Sequence, residues 1–173
     1  REVKANQRGG FDFVVSSNLS AVGATSVDVS LQVPGKHNVR NALAVIAIVE
    51  LLGLSKEKAA TALSKFTGTG RRFQLRGEAH GISIFDDYAH HPTAIKTTLK
   101  GLRQRFPDSR IWAVVEAHGY KRTKALLEKY KGVFDFADFV VVGPIFRARD
   151  ADTFGITPQS LAKASNHKNA KGF

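Results

Sequence analysis

The sequence predicts an α/β fold whose second half holds a mainly parallel sheet, and two observations carry this. From residue 72 onward, short apolar runs take turns with longer stretches of helical periodicity, in the order strand, helix, strand, helix, strand. Such alternation joins parallel strands through helical crossovers. Before residue 68 the order differs: two alternating runs come first and two helical stretches follow. Gly68-Thr69-Gly70 separates the two patterns and is the expected linker, which gives domains at 1–70 and 71–173.

Taken in order, Phe11-Asp12-Phe13-Val14-Val15 and Ser26-Val27-Asp28-Val29-Ser30-Leu31 read as strands, and the second alternates with period two. Pro34-Gly35 ends it. Residues 37–52 read as a helix, apolar nearly all round after Asn41, so the pattern predicts deep burial. Gly53 stops it, and Ser55 caps a second helix that reaches about Phe66. Residues 72–76 and 82–86 flank Gly77-Glu78-Ala79-His80-Gly81 and predict a hairpin. Pro92 suits the first turn of a helix. Ile95, Leu99, Leu102 and Phe106 form its single apolar stripe, and Pro107 ends it. Residues 111–115 make an apolar strand, 124–134 a helix and 139–142 a further strand. Thr157 or Ser160 starts a last helix near Leu161.

The composition removes several classes. There is no cysteine, so disulfides and thiolate metal sites are excluded. No apolar run reaches the roughly 18 residues of a membrane span, and the longest, residues 42–54, is interrupted by Glu50. No apolar leader follows Arg1 and methionine is absent, which reads as a segment of a longer cytoplasmic chain. The net charge of +11 favours anionic partners. Lys and Arg are dispersed, with no block and no basic-aromatic repeat, which fits a solvated basic exterior better than a nucleic-acid surface.

In parallel sheets, ligands bind beyond the carboxyl ends of the strands. Asp87, Tyr88, His90 and His91 follow the strand at 82–86. Glu116, His118, Tyr120, Lys121 and Arg122 follow the next strand, and Arg147, Arg149 and Asp150 the one after. Asp86-Asp87-Tyr88-Ala89-His90-His91-Pro92 runs from strand into helix, and a helix amino terminus favours anions. Its histidines can donate to a carboxylate or phosphate, and its aspartates can accept from ribose hydroxyls. On residue chemistry alone three readings stay open: capping aspartates with solvated histidines, an anion site, or zinc on His90, His91 and His118. Adjacent histidines point apart on most backbones, which counts against zinc. At the first predicted helix, His37, Asn38 and Asn41 share a face. An Asn amide offers the donor and acceptor that an adenine edge needs, although a cap is the simpler reading of Asn38. Arg71-Arg72 offers forked donors for phosphate, or a charged interdomain surface.

Four segments stand in a set order: Gly35-Lys36-His37-Asn38-Val39-Arg40-Asn41, Arg71-Arg72-Phe73, Asp86 to Pro92, and His118-Gly119-Tyr120-Lys121-Arg122-Thr123. In that order and spacing they resemble the Mur ligase family over about residues 30–170, and within it the alanine-adding branch. The resemblance implies that residues 1–70 are the α/β tail end of a central ATPase domain. It implies that residues 71–173 are most of a Rossmann-like C-terminal ligase domain. For the whole protein it implies an ATP-dependent ligase of peptidoglycan synthesis. ATP and Mg2+ would be its cofactors, and UDP-N-acetylmuramate and L-alanine the molecules it joins through an acyl phosphate. No Gly-x-x-x-x-Gly-Lys-Ser/Thr loop occurs in the chain. Phosphates and magnesium are therefore expected to be held mainly elsewhere in the longer protein, and this segment alone to be inactive.

By motif, the resemblance places His37, Asn38, Asn41, Arg72 and Asp87 on the nucleotide. It places Tyr88, His90, His91, His118, Tyr120 and Arg122 around the incoming amino acid, with His91 and Arg122 at its carboxylate. It assigns no residue of this chain to catalysis by itself or to a metal. There are two departures from the family pattern. Gly119 stands where some members have Arg, and Glu116-Ala117 where many have Gln-Pro. Glu116 and Arg76-Gly77-Glu78-Ala79 are similar to the branch that recycles murein tripeptide, whereas Tyr88 and Tyr-x-Arg-Thr are similar to the alanine-adding branch. A non-catalytic nucleotide- or polyanion-binding module is the alternative from another class.

Overall fold

The structure, a computed structural model, describes residues 2–17 and 25–173. By internal contacts the chain divides into two compact units, Arg1–Phe85 and Asp86–Phe173. The hairpin that follows the Gly68-Thr69-Gly70 segment is grouped with the first unit and forms a two-stranded sheet of its own.

In the first unit β1 (Lys4–Ala5), β2 (Phe11–Ser17) and β3 (Thr25–Ser30) form an antiparallel sheet in that order. The period-two pattern works as expected. Phe11 and Phe13 of β2 and Val27 and Val29 of β3 are buried in one core with residues of α1 (Lys36–Leu51) and α2 (Lys56–Lys65). The Ser55 hydroxyl accepts from the Lys58 amide and caps α2. Lys56 is buried beside it, and its ammonium meets Glu50 at 2.9 Å and also the Thr25 hydroxyl. These contacts tie the end of α1 and the edge of β3 to the start of α2. The hydroxyl of Ser17, and then Lys56, hold the Glu50 carboxyl below its usual range.

Two expectations fail here. Helix α1 buries only Val39, Ala42 and Ile46, while Leu43, Val45 and Ile48 are exposed. An all-round apolar pattern shows what a helix can bury, and the described chain packs only one of its faces. Asn38 is not the cap, because Gly35 (φ 90°) holds that position and Asn38 lies inside the first turn.

Strands β4 (Gln74–Ala79) and β5 (Ile82–Asp86) form the expected hairpin, but β4 continues through Gly77 to Ala79. His80 (φ 50°) and Gly81 (φ 76°) alone make the turn, with the two positive φ values of a type I′ connection.

In the second unit α3 (Pro92–Arg105) precedes β6 (Trp112–Val115), α4 (Tyr120–Leu126), β7 (Phe139–Val142), α5 (Pro158–Ala164) and β8 (Ala170–Gly172). The strands pair in parallel in the order β6-β7-β8, so the parallel pairing that the alternation predicts holds for β6 and β7. The strand expected at 82–86 is not in this sheet: as β5 it pairs with β4 instead, and β8 takes the third place. Ile95 and Leu99 of α3, Ala113 and Val115 of β6, Val140 and Val142 of β7 and Leu161 of α5 share one core with Phe134. Burying a side chain of this size contributes about 1.5–3 kcal/mol. The helix expected at 124–134 starts earlier, at Tyr120, and passes into a 3-10 turn over Leu127–Tyr130. Gly132 (φ 68°) ends it, so Val133 and Phe134 reach the core from a turn. At α5, Thr157 and Ser160 act together as a reciprocal capping box. Among the described residues no helix is long and apolar enough to cross a membrane.

Asp138 clamps this unit. Its Oδ2 accepts from the Ile111 amide and from Arg103 Nη2, both at 2.7 Å, which joins the end of α3 to the segment before β6. Arg103 also donates to the carbonyls of Pro107 and Ser109. The Ile111 amide, and then Arg103, hold the Asp138 carboxyl below its usual range. A depressed carboxyl stabilises the fold above its unfolded pKa of about 3.9, and that contribution is lost as pH falls through the folded value. Asp138→Asn is therefore expected to lower Tm at neutral pH and to flatten its fall on acidification below about pH 4. Thermal unfolding across pH measures both. The carboxylate is 43% exposed, so the effect is modest.

Candidate functional site

In the first unit the Gly35-to-Asn41 motif opens α1. At Gly35 a Cβ would stand 2.5 Å from the His37 ring, so the glycine leaves room for that ring as well as the turn. Asn38 Nδ2 donates to the Pro34 carbonyl at 2.7 Å, and its Oδ1 accepts from Asn41 Nδ2 at 3.2 Å. The chain of amides fixes which way Asn41 faces and leaves its Oδ1 and one N–H for another partner. Asn41 and His37 are exposed. Arg72 sits in a tight double turn between two left-handed residues, Arg71 (φ 55°) and Phe73 (φ 52°). The Arg72 amide donates to Thr69 O, and Phe73 packs on Phe85 with ring centroids 4.8 Å apart.

In the second unit the Asp86-to-Pro92 turn is built by its own side chains. Asp87 Oδ1 accepts from the Ala89 amide at 2.8 Å. His91 caps α3: its Nδ1 accepts from the Thr93 amide at 3.2 Å, so its proton lies on Nε2. His90 does the opposite, with Nδ1 donating to the Tyr88 carbonyl at 3.0 Å and Nε2 left as the free nitrogen. The two adjacent histidines are thus committed to different backbone partners. The Tyr88 and His90 rings meet edge to face at 5.2 Å.

The connection after β6 comes to meet this turn. The His90 and His118 ring centroids lie 6.1 Å apart. Arg122, one helical turn after His118, donates from Nη2 to His118 Nδ1 at 3.3 Å, which leaves the His118 proton on Nε2. Gly119 (φ 83°) starts α4, and the buried Thr123 hydroxyl donates to its carbonyl at 2.7 Å, locking that turn. Tyr130 is buried beneath: burial raises its hydroxyl pKa, and the Arg122 charge acts the other way. The connection after β7 adds Phe146, whose ring lies 4.9 Å from His118.

The structure therefore brings together Tyr88, His90, His118 and Arg122 of the expected residues. It presents an imidazole N–H and a guanidinium on one exposed edge, where each can bond an anion. His91 stands at the start of α3 as a cap, and Tyr120 packs against the core. Phe146 was not anticipated; no residue pattern marks a ring that acts only by lying under His118. Among the described residues no group of three or more His, Asp or Glu side chains is placed to hold a metal ion.

Residues 71–172 match the sequence profile of the Mur ligase, glutamate ligase domain. The UDP-N-acetylmuramate–L-alanine ligase of Agathobacter rectalis is 46% identical over 139 residues, which are 80% of this chain and 30% of that protein. The crystal structure of the UDP-N-acetylmuramate–alanine ligase of Thermotoga maritima superposes on 85% of this chain and 31% of its own, with TM-score 0.64 at 30% identity. The murein peptide ligase of Psychrobacter arcticus matches 77% of this chain and 28% of its own, with TM-score 0.57 at 36% identity. The chain thus spans about a third of the length of the relatives it matches.

Proposed function

The chain belongs to the Mur ligase family, and on that premise we propose that it is the C-terminal part of an ATP-dependent ligase joining L-alanine to UDP-N-acetylmuramate in the cytoplasm. The observation that carries this reading is the Arg122–His118 pair, with His90 beside it, at the carboxyl end of a parallel strand. Arg122 keeps N–H donors beyond the one given to His118, and His118 keeps Nε2–H. Together they suit the carboxylate of an incoming amino acid. The residues of the first unit suit a nucleotide: Asn41, oriented by Asn38, presents a donor and an acceptor of the kind an adenine edge pairs with. ATP and Mg2+ would supply the activating phosphoryl chemistry. No Gly-x-x-x-x-Gly-Lys-Ser/Thr loop for phosphate occurs in these 173 residues, so the isolated segment is expected to bind nucleotide weakly and not to turn over.

The tripeptide-recycling activity is the second reading, favoured by Glu116 and by the likeness to the murein peptide ligase. Full-length enzyme given UDP-N-acetylmuramate, ATP and either L-alanine or the tripeptide separates the two. Alanine addition is the expected result. Tripeptide addition without alanine addition would overturn it.

A further inference from the structure

The motifs that carry the family resemblance end at Thr123, yet the His118-to-Arg122 turn is not held by its own residues alone. The connection after β7 is zipped to it along its length. The Phe146 amide donates to the Ala117 carbonyl at 2.9 Å, and the Gly119 amide donates to the Phe146 carbonyl at 2.8 Å. His118 and Phe146 form a parallel bridge beyond the ends of the two strands. Beyond that bridge the chain turns through Arg147 to Asp150, closed by the Asp150 amide donating to the Arg147 carbonyl. The half-buried Asp150 then points Oδ2 back at the start of α4, where it accepts from the Lys121 amide at 3.0 Å. The same oxygen would stand 3.2 Å from a Cβ on Gly119. The absence of a side chain at 119 and the presence of a carboxylate at 150 are thus two halves of one contact.

From this geometry we infer that Asp150 is a positioning residue for amino-acid binding: by holding the Lys121 amide it sets where His118 and Arg122 stand. The inference rests on the reading that Arg122 and His118 receive the substrate carboxylate. Asp150 touches no substrate in this arrangement. Its carboxylate occupies an amide at the start of α4, which leaves the incoming carboxylate to the Arg122 and His118 side chains.

The test uses full-length enzyme with Asp150→Ala, Asp150→Ser and Asp150→Asn, and with Arg122→Ala as the reference for the reading itself. In the Ala and Ser variants, hydrogen–deuterium exchange in the peptide covering residues 118–126 is expected to speed up. The KM for L-alanine is expected to rise about tenfold, below the roughly hundredfold that a displacement of about 1 Å can cost, with the KM for ATP unchanged. Asp150→Asn keeps an oxygen that accepts from the Lys121 amide and is expected to restore most of both. Unchanged exchange overturns the inference. So does faster exchange with an unchanged KM for L-alanine while Arg122→Ala raises it. Loss of the fold in both Ala and Ser variants also overturns it, since Asp150 would then be a folding residue. If Arg122→Ala leaves the KM for L-alanine unchanged, the carboxylate reading itself has failed, and the inference falls with it.

Discussion

Replacing Arg122 by alanine in the full-length ligase is expected to raise the KM for L-alanine by roughly 30- to 100-fold and to leave the KM for ATP within about twofold. A hydrogen bond to a charged group contributes about 1.5–3 kcal/mol, and each 1.4 kcal/mol is about tenfold in affinity. The prediction follows from what surrounds the guanidinium. It donates to His118 Nδ1 at 3.3 Å, and this contact orders both groups before a substrate arrives. Loss of Arg122 therefore removes one donor set and also frees the His118 ring to turn. Arg122→Lys keeps the charge but cannot reproduce the fork, so it is expected to fall between wild type and alanine. Initial rates of phosphate release, with each substrate varied in turn, give the two KM values. Equal rises for L-alanine and ATP would remove Arg122 from the carboxylate and return it to general support of the fold.

Where the structure obeys local chemistry, the sequence was sufficient. Ser55 caps α2, Pro92 opens α3, and Thr157 with Ser160 starts α5. Each is a contact among residues at most three apart, so the residues that make it stand side by side in the sequence. Strands β6 and β7 were legible for a related reason: both are short, uninterrupted apolar runs, although in β6 only Ala113 and Val115 are buried while Trp112 and Val114 are exposed. Strand β8 was not. Its three residues, Ala170 to Gly172, carry no alternation and become a strand only because β7 pairs with them. The exposed face of α1 shows the same limit from the other side, since apolar periodicity cannot say which neighbours will be present. The site divides likewise. His90, His118 and Arg122 were found by residue type at strand ends. Asp150 was seen only as one more polar group on the same edge, because its contact with Lys121 spans 29 residues. Phe146 reaches His118 from a different connection, and His91 caps α3 although histidine is not among the residues that usually hold that position.

Gly172→Ala is expected to destabilise the second unit by about 3 kcal/mol or more, the upper end for forcing extra volume into a packed site. For a unit of this size that is roughly 12 °C or more in Tm. The methyl carbon would stand 2.3 Å from the Pro158 carbonyl carbon and 2.4 Å from the Gln159 nitrogen. Both are backbone atoms, so no rotamer change can make room. Strand β8 is fixed on one side by its pairing with β7, where Gly172 faces Val142 and the Phe173 amide donates to the Val142 carbonyl at 3.0 Å. On the other side the first turn of α5 is fixed by its capping box and by Leu161, which is fully buried. Room for the methyl group therefore means unpairing β8 or lifting Leu161 out of the core. Gly155→Ala is the control. Gly155 differs from Gly172 in both respects: it has positive φ, 71°, which Gly172 does not, and nothing lies within 4 Å of its would-be Cβ. It isolates the cost of a left-handed backbone conformation alone, roughly 1–2 kcal/mol. Thermal unfolding of both variants separates close approach from strain. If Gly172→Ala shifts Tm no further than Gly155→Ala, then β8 and α5 are not held against each other as tightly as their backbones indicate.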